Sequence, residues 1–316
     1  MLRTQRGSLV AVIIMLPFVG CDSPRDEASR SESSATIAVD VVYGHKAGMA
    51  LTLDVYQPQE SNGAAVLFMN SGGFVSPAYG IQYEVIGPSS YRFIRPEALP
   101  APVYQQWRFE DLLTNGFTVF DVHHGSSPKF TLPEIVEDVK LAVRYVRAHA
   151  AGFGVDADRI GVWGPSAGGY LAVLLGTSGD DGDATADNAV DQTSSRVNAV
   201  VAYYPGGYYP PSPEAVAGLP AVQIDEELLE PLLLRNHIST DDAPTLIIYG
   251  EEDGPGITED CEAMYSEFQR QGVESSLIAI PGTGHTFQLG DAYHSHHAER
   301  AMAELVAWFQ QHLLNE

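Results

Sequence analysis

Cysteine is nearly absent from this sequence, which contains two among its 316 residues. A disulfide framework needs several cysteines at regular spacing, so a small disulfide-stapled fold is excluded. Basic residues are also scarce, because 17 Lys and Arg stand against 41 Asp and Glu and give a formal net charge of −24. Nucleic acids need a basic surface for their phosphates, so this charge argues against a nucleic-acid partner and disfavours electrostatic docking on an anionic membrane.

The first residues of the sequence also lack an apolar run long enough for a transmembrane helix. The apolar run Leu9–Val19 is too short to span a bilayer, and it follows Arg3 and Arg6 as in a secretory signal peptide. The run ends in Val-Gly-Cys, which resembles a bacterial lipobox. On that resemblance residues 1–20 are a signal peptide, and Cys21 carries a lipid that anchors an exported protein to the cell envelope. Ordinary secretion and an uncleaved anchor remain alternatives.

The remainder of the chain divides into a tether and one folded domain. Residues 21–35 are rich in Ser, Arg and Glu and almost free of apolar side chains, which predicts a disordered tether. Regular apolar patterning begins at Thr36, so residues 36–316 are predicted to be the domain. A content of 45% hydrophobic and 18% charged residues suits a sizeable core, and α/β folds of this length routinely form one domain.

Strand-like and helix-like segments alternate through the predicted domain. An alternating pattern in Ile37–Tyr43 and Ala50–Tyr56 predicts an antiparallel hairpin. Continuous apolar runs, typical of strands buried on both faces, follow at Ala64–Asn70, Phe117–His123, from Arg159 to Gly164, Val197–Tyr204, Pro244–Gly250 and Glu274–Pro281. Helices are predicted at Val103–Thr114, Pro133–Ala150, from Ser166 to Gly176, Thr258–Arg270 and Ala298–Leu314. This order predicts a doubly wound, mostly parallel sheet that starts with an antiparallel hairpin.

One stretch in this pattern carries a candidate nucleophile. Ser166 lies in Gly-Pro-Ser-Ala-Gly, residues 164–168, between a short β-branched run and a helix-forming run. This strand, tight turn and helix are the context of a nucleophile elbow, in which only very small neighbours fit beside a strained serine. The helix would begin directly under Ser166, so its free N–H groups would face an oxyanion formed there.

A serine nucleophile needs a base and an acid, and the predicted strand ends supply both. Ligands of such a sheet lie beyond the carboxyl ends of the strands, where His285 follows the last strand and Asp253 the one before it. An imidazole activates the serine, and a carboxylate fixes the imidazole tautomer. The adjacent Glu252 is the second candidate for the acid. A fourth strand end carries Gly72–Gly73, whose backbone N–H groups are predicted to point into the same cleft.

These motifs together resemble the α/β-hydrolase superfamily, and in particular the small esterase and lipase group that includes feruloyl and acetylxylan esterases. The resemblance implies an eight-stranded α/β-hydrolase sheet and a serine esterase that forms an acyl-enzyme on small acyl or aryl esters without a cofactor. It further implies a catalytic triad of Ser166, Asp253 and His285, with oxyanion donors at Gly72, Gly73 and Ala167. The chain departs from the group at residues 70–71, where Asn-Ser replaces His-Gly.

Other histidines and acidic residues could suggest a metal site, but their spacing in the sequence argues against one. His123 and His124 are adjacent in a strand, so their side chains point to opposite faces. His294, His296 and His297 are alternatives to His285 as the base and could also suggest a zinc site. They lie near the start of the last helix, where exposed histidines are common. The aspartates between residues 180 and 187 do not have the spacing of an EF-hand loop. No metal is therefore predicted.

Two long excursions and the acyl specificity remain open. Residues 75–115 and 205–240 interrupt the strand and helix pattern, and connections of this length are usually functional or have structure of their own. We expect the first part of the earlier excursion beside the mouth of the site, and a short helix at Glu226–Leu234 in the later one. A triad fixes acyl transfer and not the acyl group, so a peptidase, lactonase or thioesterase remains possible. A non-catalytic binding module is the alternative outside enzymes, although it predicts a broken triad.

Overall fold

Ten strands are found in the part of the chain that the structure describes. The structure is a computed structural model, and it describes residues 36–76, 82–87, 90–94, 109–287 and 296–315. The strands are β1 Thr36–Lys46, β2 Met49–Gln57, β3 Ala65–Met69, β4 Gln82–Gly87, β5 Ser90–Ile94, β6 Thr118–His123, β7 Ile160–Pro165, β8 Ala199–Tyr203, β9 Thr245–Gly250 and β10 Ser275–Ile280.

Eight of these strands form one sheet in the order β1-β2-β6-β3-β7-β8-β9-β10. The strands β1 and β2 pair antiparallel, and β2 also pairs antiparallel with β6. From β6 to β10 all neighbours are parallel. The predicted eight-stranded, mostly parallel sheet with an antiparallel N-terminal hairpin is therefore confirmed. Parallel strands bring the residues after β3, β7, β9 and β10 to the same edge.

Helices cover both faces of this sheet. They are α1 Leu132–Ala148, α2 Ala150–Phe153, α3 Ala167–Ser178, α4 Pro213–Gly218, α5 Glu226–Leu229, α6 Pro255–Gln271 and α7 His296–Leu313, and residues 109–114 are also helical. Gly161 and Gly164 lie three apart in β7 and so face opposite sides. A Cβ on Gly161 would lie 2.6 Å from the ring of Phe309 in α7, whereas one on Gly164 would lie 2.6 Å from the Gly168 backbone in α3. The sheet is therefore sandwiched between helical layers.

The excursions contain structure that the sequence pattern did not predict. Strands β4 and β5 pair as an antiparallel hairpin within the first excursion. In the second, α4 was not predicted, and the helix expected over Glu226–Leu234 is shorter, because α5 ends at Leu229 and 3₁₀ turns follow. Pro231 lies in the first of these turns, and a proline cannot donate the backbone hydrogen bond that would continue the helix.

Several predictions fall on residues that the structure does not describe. The signal peptide at 1–20, the anchor at Cys21, the tether at 21–35 and the first part of the crossover helix from Val103 lie outside the described residues. Within the described ranges, no helix combines the length and the apolar character that a bilayer crossing requires.

Candidate active site

Ser166 lies in a sharp turn between β7 and α3. Its backbone angles are φ 52° and ψ −120°, a conformation that costs a non-glycine residue energy and persists only where the surroundings enforce it. Two backbone hydrogen bonds hold the turn, because Ser166 N donates to Tyr203 O at 2.8 Å and Tyr170 N donates to Ser166 O at 2.9 Å. The predicted elbow geometry is present, and it lifts the side chain of Ser166 out of the buried strand.

The turn is possible because glycines let three backbone segments meet. A Cβ on Gly168 would lie 2.1 Å from Met69 O at the end of β3, and one on Gly164 would lie 2.6 Å from the Gly168 carbonyl. Real Cβ atoms do not approach other atoms this closely. The helix α3 therefore starts against the end of β3, which places the loop that follows β3 beside Ser166.

Ser166, His285 and Asp253 form one hydrogen-bonded chain. The Ser166 Oγ lies 3.0 Å from His285 Nε2, and His285 Nδ1 lies 2.8 Å from Asp253 Oδ2. The imidazole is about one-third exposed, with 32% of its side chain accessible to solvent, whereas the Asp253 side chain is only 4% exposed. Three groups separated by up to 119 positions in sequence thus meet in the geometry that proton transfer from a serine hydroxyl requires.

The carboxylate that contacts His285 belongs to Asp253 and not to Glu252. In the turn after β9, Glu252 N donates to Thr283 O at 2.8 Å and Asp253 N donates to Gly250 O at 3.0 Å. This path leaves Glu252 exposed and directs the Asp253 carboxylate inward. Its other oxygen, Oδ1, accepts from Gly254 N at 2.7 Å, so the carboxylate is fixed from both sides.

The loop after β3 presents backbone N–H groups next to the serine. In this Gly-Gly loop, defined as residues 70–76, Gly72, Gly73 and Phe74 have φ of 81°, 68° and 67°. Successive backbone N–H groups in a turn can form an anion-binding concavity. Among described acceptors, the N–H groups of Gly72, Gly73 and Ala167 have no hydrogen-bond partner. They are available to a ligand at Ser166.

Comparison with solved structures gives the same architecture. The structure aligns with the crystal structure of an acetyl ester-xyloside bifunctional hydrolase from Caldicellulosiruptor lactoaceticus with a TM-score of 0.67 and 21% identity, over 88% of this chain and 97% of that one. The family model of the dienelactone hydrolase family matches residues 182–313, and the BD-FAE model matches residues 101–207. The chain has the α/β-hydrolase fold.

Sequence relatives of this chain include proteins named as ester hydrolases. The probable carboxylic ester hydrolase LipM of Mycobacterium tuberculosis is 25% identical over 208 residues, which are 61% of this chain and 48% of LipM. The chain therefore spans about half the length of LipM. The ethyl acetate hydrolase of Pseudomonas putida is 26% identical over 319 residues, covering 91% of this chain and 90% of that protein.

One residue beside Ser166, His285 and Asp253 was missed by the sequence pattern. The Tyr204 ring lies 4.5 Å from the His285 ring and 4.9 Å from the ring of Phe287, with centroids compared in both cases. Tyr204 follows β8 directly, so its place at the carboxyl end of a strand was the available signal. It forms a wall that limits where the imidazole of His285 can move.

The hydrogen-bond partners of His123 and His124 do not include Ser166, Asp253 or His285. His123 is buried, and its Nδ1 lies 3.3 Å from Thr52 Oγ1, whereas the buried His124 has its Nδ1 2.8 Å from the carbonyl oxygen of Gly125. Nowhere in the described ranges do three His, Cys, Asp or Glu side chains converge as a metal would require. His294 lies outside these ranges.

Proposed function

We propose that this chain is a serine carboxylic-ester hydrolase that acts through Ser166, His285 and Asp253. The observation that carries the proposal is the continuous hydrogen-bonded chain from Ser166 Oγ through His285 to Asp253 Oδ2. The backbone strain at Ser166 supports it, since strained residues cluster at functional sites. The ester hydrolases among its sequence relatives support the same chemistry.

The proposed reaction begins with attack of Ser166 Oγ on the ester carbonyl while His285 Nε2 takes the hydroxyl proton. Asp253 stabilises the imidazolium and holds its tautomer. The tetrahedral oxyanion accepts hydrogen bonds from the N–H groups of Gly73 and Ala167, with Gly72 as a further donor. His285 then gives the proton to the leaving alcohol. Water, activated by His285, hydrolyses the acyl-enzyme and restores Ser166.

We expect small acyl or aryl esters, of the acetyl or feruloyl type, as substrates. The relative from Pseudomonas putida is named for ethyl acetate, and the structural neighbour from Caldicellulosiruptor lactoaceticus for an acetyl ester. The same triad would serve a lactonase, a thioesterase or a peptidase, because the three residues act on the carbonyl alone. A panel of p-nitrophenyl esters from acetyl to octanoyl, with methyl ferulate, a lactone, a thioester and a peptide amide, separates these substrates.

Replacement of Ser166 by Ala tests the proposed reaction. The variant is expected to lower kcat for p-nitrophenyl acetate by about 10⁵–10⁶-fold, because the nucleophile is lost, while the circular dichroism spectrum and melting temperature stay unchanged. Hydrolysis by the folded variant at the wild-type rate would refute the proposal. A wild-type chain that binds an ester without turning it over would favour the binding-module alternative.

We further propose that Cys21 carries a lipid that anchors the exported chain to the cell envelope. The support is the Val-Gly-Cys motif after a short apolar run with basic residues before it. The full chain expressed in a bacterium is expected to enter the detergent phase on Triton X-114 partition, and Cys21→Ser to move it to the aqueous phase. Equal partition of both forms would contradict lipidation.

A further inference from the structure

Asn70 stands at the entry of the Gly-Gly loop, at the point where the chain departs from the esterases that it resembles. Its side chain is buried, with 3% of the residue exposed. Its Nδ2 donates two hydrogen bonds, one to Asp121 Oδ1 at 2.6 Å and one to Val122 O at 2.9 Å. Both acceptors belong to β6, so this one amide ties the start of the loop to the neighbouring strand.

The carboxylate of Asp121 makes this attachment a strong one. Asp121 is completely buried, and losing a hydrogen bond in such a place is costly because it leaves a buried polar group unsatisfied. Within the described part of the chain its second oxygen, Oδ2, accepts no hydrogen bond and lies 3.8 Å from His123 Nε2. The Asp121 side chain therefore accepts a hydrogen bond from the Asn70 amide through Oδ1 and faces His123 through Oδ2.

The exit of the Gly-Gly loop is attached to the segment that follows β6. Ser127 N donates to Phe74 O at 3.0 Å, and Ser76 N donates to Ser126 Oγ at 2.9 Å. Gly72 and Gly73 lie between the two attachments and have left-handed backbone angles that glycine adopts without cost. The glycines alone would leave the loop free to move, so the direction of their N–H groups depends on the attachments at either end.

We infer that Asn70 and Asp121 are positioning residues, which aim the backbone donors of the Gly-Gly loop at the oxyanion formed on Ser166. The inference rests on the proposed function. Both residues act through the loop and touch neither the nucleophile nor the ester. A donor that is misdirected loses transition-state binding and leaves ground-state binding nearly intact, so the effect belongs in kcat.

The test compares substitutions at this pair in the full-length chain, with kcat, KM, melting temperature and the rate of labelling by a fluorophosphonate as readouts. Asn70→Ala is expected to lower kcat for p-nitrophenyl acetate about 10–100-fold with KM within about twofold, less than the 10²–10³-fold cost of losing a donor outright. Asn70→Asp keeps the shape but opposes two carboxylates, so a larger loss is expected. The exchange variant Asn70→Asp/Asp121→Asn restores the hydrogen bond between the two side chains but not the one to Val122 O. It should therefore recover at least tenfold in kcat over Asn70→Asp and stay below the wild-type value.

Asn198→Ala is the matched control, because Asn198 Oδ1 accepts from Ile160 N at 3.0 Å at the opposite edge of the sheet. It is expected to lower the melting temperature without changing kcat. The inference is overturned if Asn70→Ala and Asn70→Asp keep wild-type kcat, if their losses appear only in KM, or if the exchange variant is no better than Asn70→Asp. These outcomes differ from a failure of the proposed function, which would appear as an active Ser166→Ala variant or as a wild-type chain that does not turn over an ester.

Discussion

At the scale of single residues, the site depends on positions where a side chain would not fit. Ser166 has a positive φ, and the backbone around it closes only because Gly164 and Gly168 have no Cβ. The strands β3 and β7 and the helix α3 meet at the turn, and their packing offsets the energetic cost of this backbone conformation. Removing that support should affect stability and activity together, whereas changing a triad side chain should affect activity alone.

Replacement of Gly168 by Ala tests the close approach. The new Cβ would meet Met69 O at 2.1 Å, and overpacking of this kind costs about 3 kcal/mol or more in free energy of unfolding. We expect a lower melting temperature and loss of esterase activity. Gly152→Ala in α2 is the control, since no atom lies within 4 Å of its Cβ position, and it should keep wild-type stability or gain slightly. Equal stability of both variants would contradict the packing account.

Replacement of Asp253 by Asn tests whether Asp253 or its neighbour Glu252 is the catalytic acid. Asparagine keeps the shape but no longer stabilises the imidazolium, so kcat for p-nitrophenyl acetate should fall about 10⁴-fold with little change in KM. Glu252→Gln is the control and should retain activity, because Glu252 is exposed in the turn. A greater loss in the Glu252 variant than in the Asp253 variant would reverse the assignment.

At the scale of elements, the second excursion contacts the Gly-Gly loop. Leu219, which follows α4, brings its Cδ2 to 2.8 Å from the position that a Cβ on Gly73 would occupy. Hydrogen bonds from Leu219 N to Val216 O and from Val222 N to Leu219 O hold this turn, and Val222 is buried in the core. The excursion thus packs against the Gly-Gly loop at Gly73.

Shortening Leu219 to Ala is therefore expected to admit longer acyl chains. The ratio of kcat/KM for p-nitrophenyl octanoate to that for the acetate should rise about tenfold, the size of effect that a few methylene groups produce in an apolar pocket. Leu228→Ala, in the same excursion but 54% exposed, is the control and should leave the ratio unchanged. An unchanged ratio in the Leu219 variant would mean that the acyl group lies elsewhere.

At the scale of the whole molecule, the acidic composition affects how stability depends on pH. Asp242 precedes β9 and accepts from Ser239 N at 2.9 Å and from Ser239 Oγ at 2.9 Å. Burial raises the pKa of its carboxyl to about 6 despite these hydrogen bonds, and the neighbouring Asp241 adds to the rise. The folded state therefore binds this proton more tightly than the unfolded state, in which an aspartate has a pKa of about 3.9.

The stability that this proton contributes is complete below about pH 4 and is lost as the pH rises through about 6. Asp242→Asn removes the charge and keeps a group that can pair with Ser239. Its melting temperature relative to the wild-type chain should therefore rise between pH 4 and pH 8, with the larger advantage at pH 8. Melting curves of both proteins across this range measure the difference, and a difference independent of pH would contradict the shift.

The sequence predicted the sheet well because its strands are buried on both faces. Continuous apolar runs such as 244–250 mark such strands, and β9 was found at Thr245–Gly250. Parallel pairing then brings the strand ends to one edge, so Ser166 and His285 were predicted together from their places after strands. The hairpin of β4 and β5 was not predicted, because the prolines in that excursion masked any alternation.

The finer parts of the site depended on contacts that a sequence pattern does not contain. The choice between Asp253 and Glu252 follows from the path of one turn, which hydrogen bonds to Thr283 and Gly250 determine. Asn70 and its acceptor Asp121 lie 51 positions apart, and nothing in the sequence around either residue points to the other. Such pairs are defined by strand register, which is known only once the strands are paired.

The measurement that most directly tests the central claim is labelling by a fluorophosphonate, followed by intact mass and peptide mapping. The account predicts one phosphonyl group per chain, attached to Ser166, with p-nitrophenyl acetate hydrolysis lost in proportion to labelling. Ser166→Ala should remain unlabelled. Labelling at another residue, or full esterase activity after complete labelling of Ser166, would contradict it.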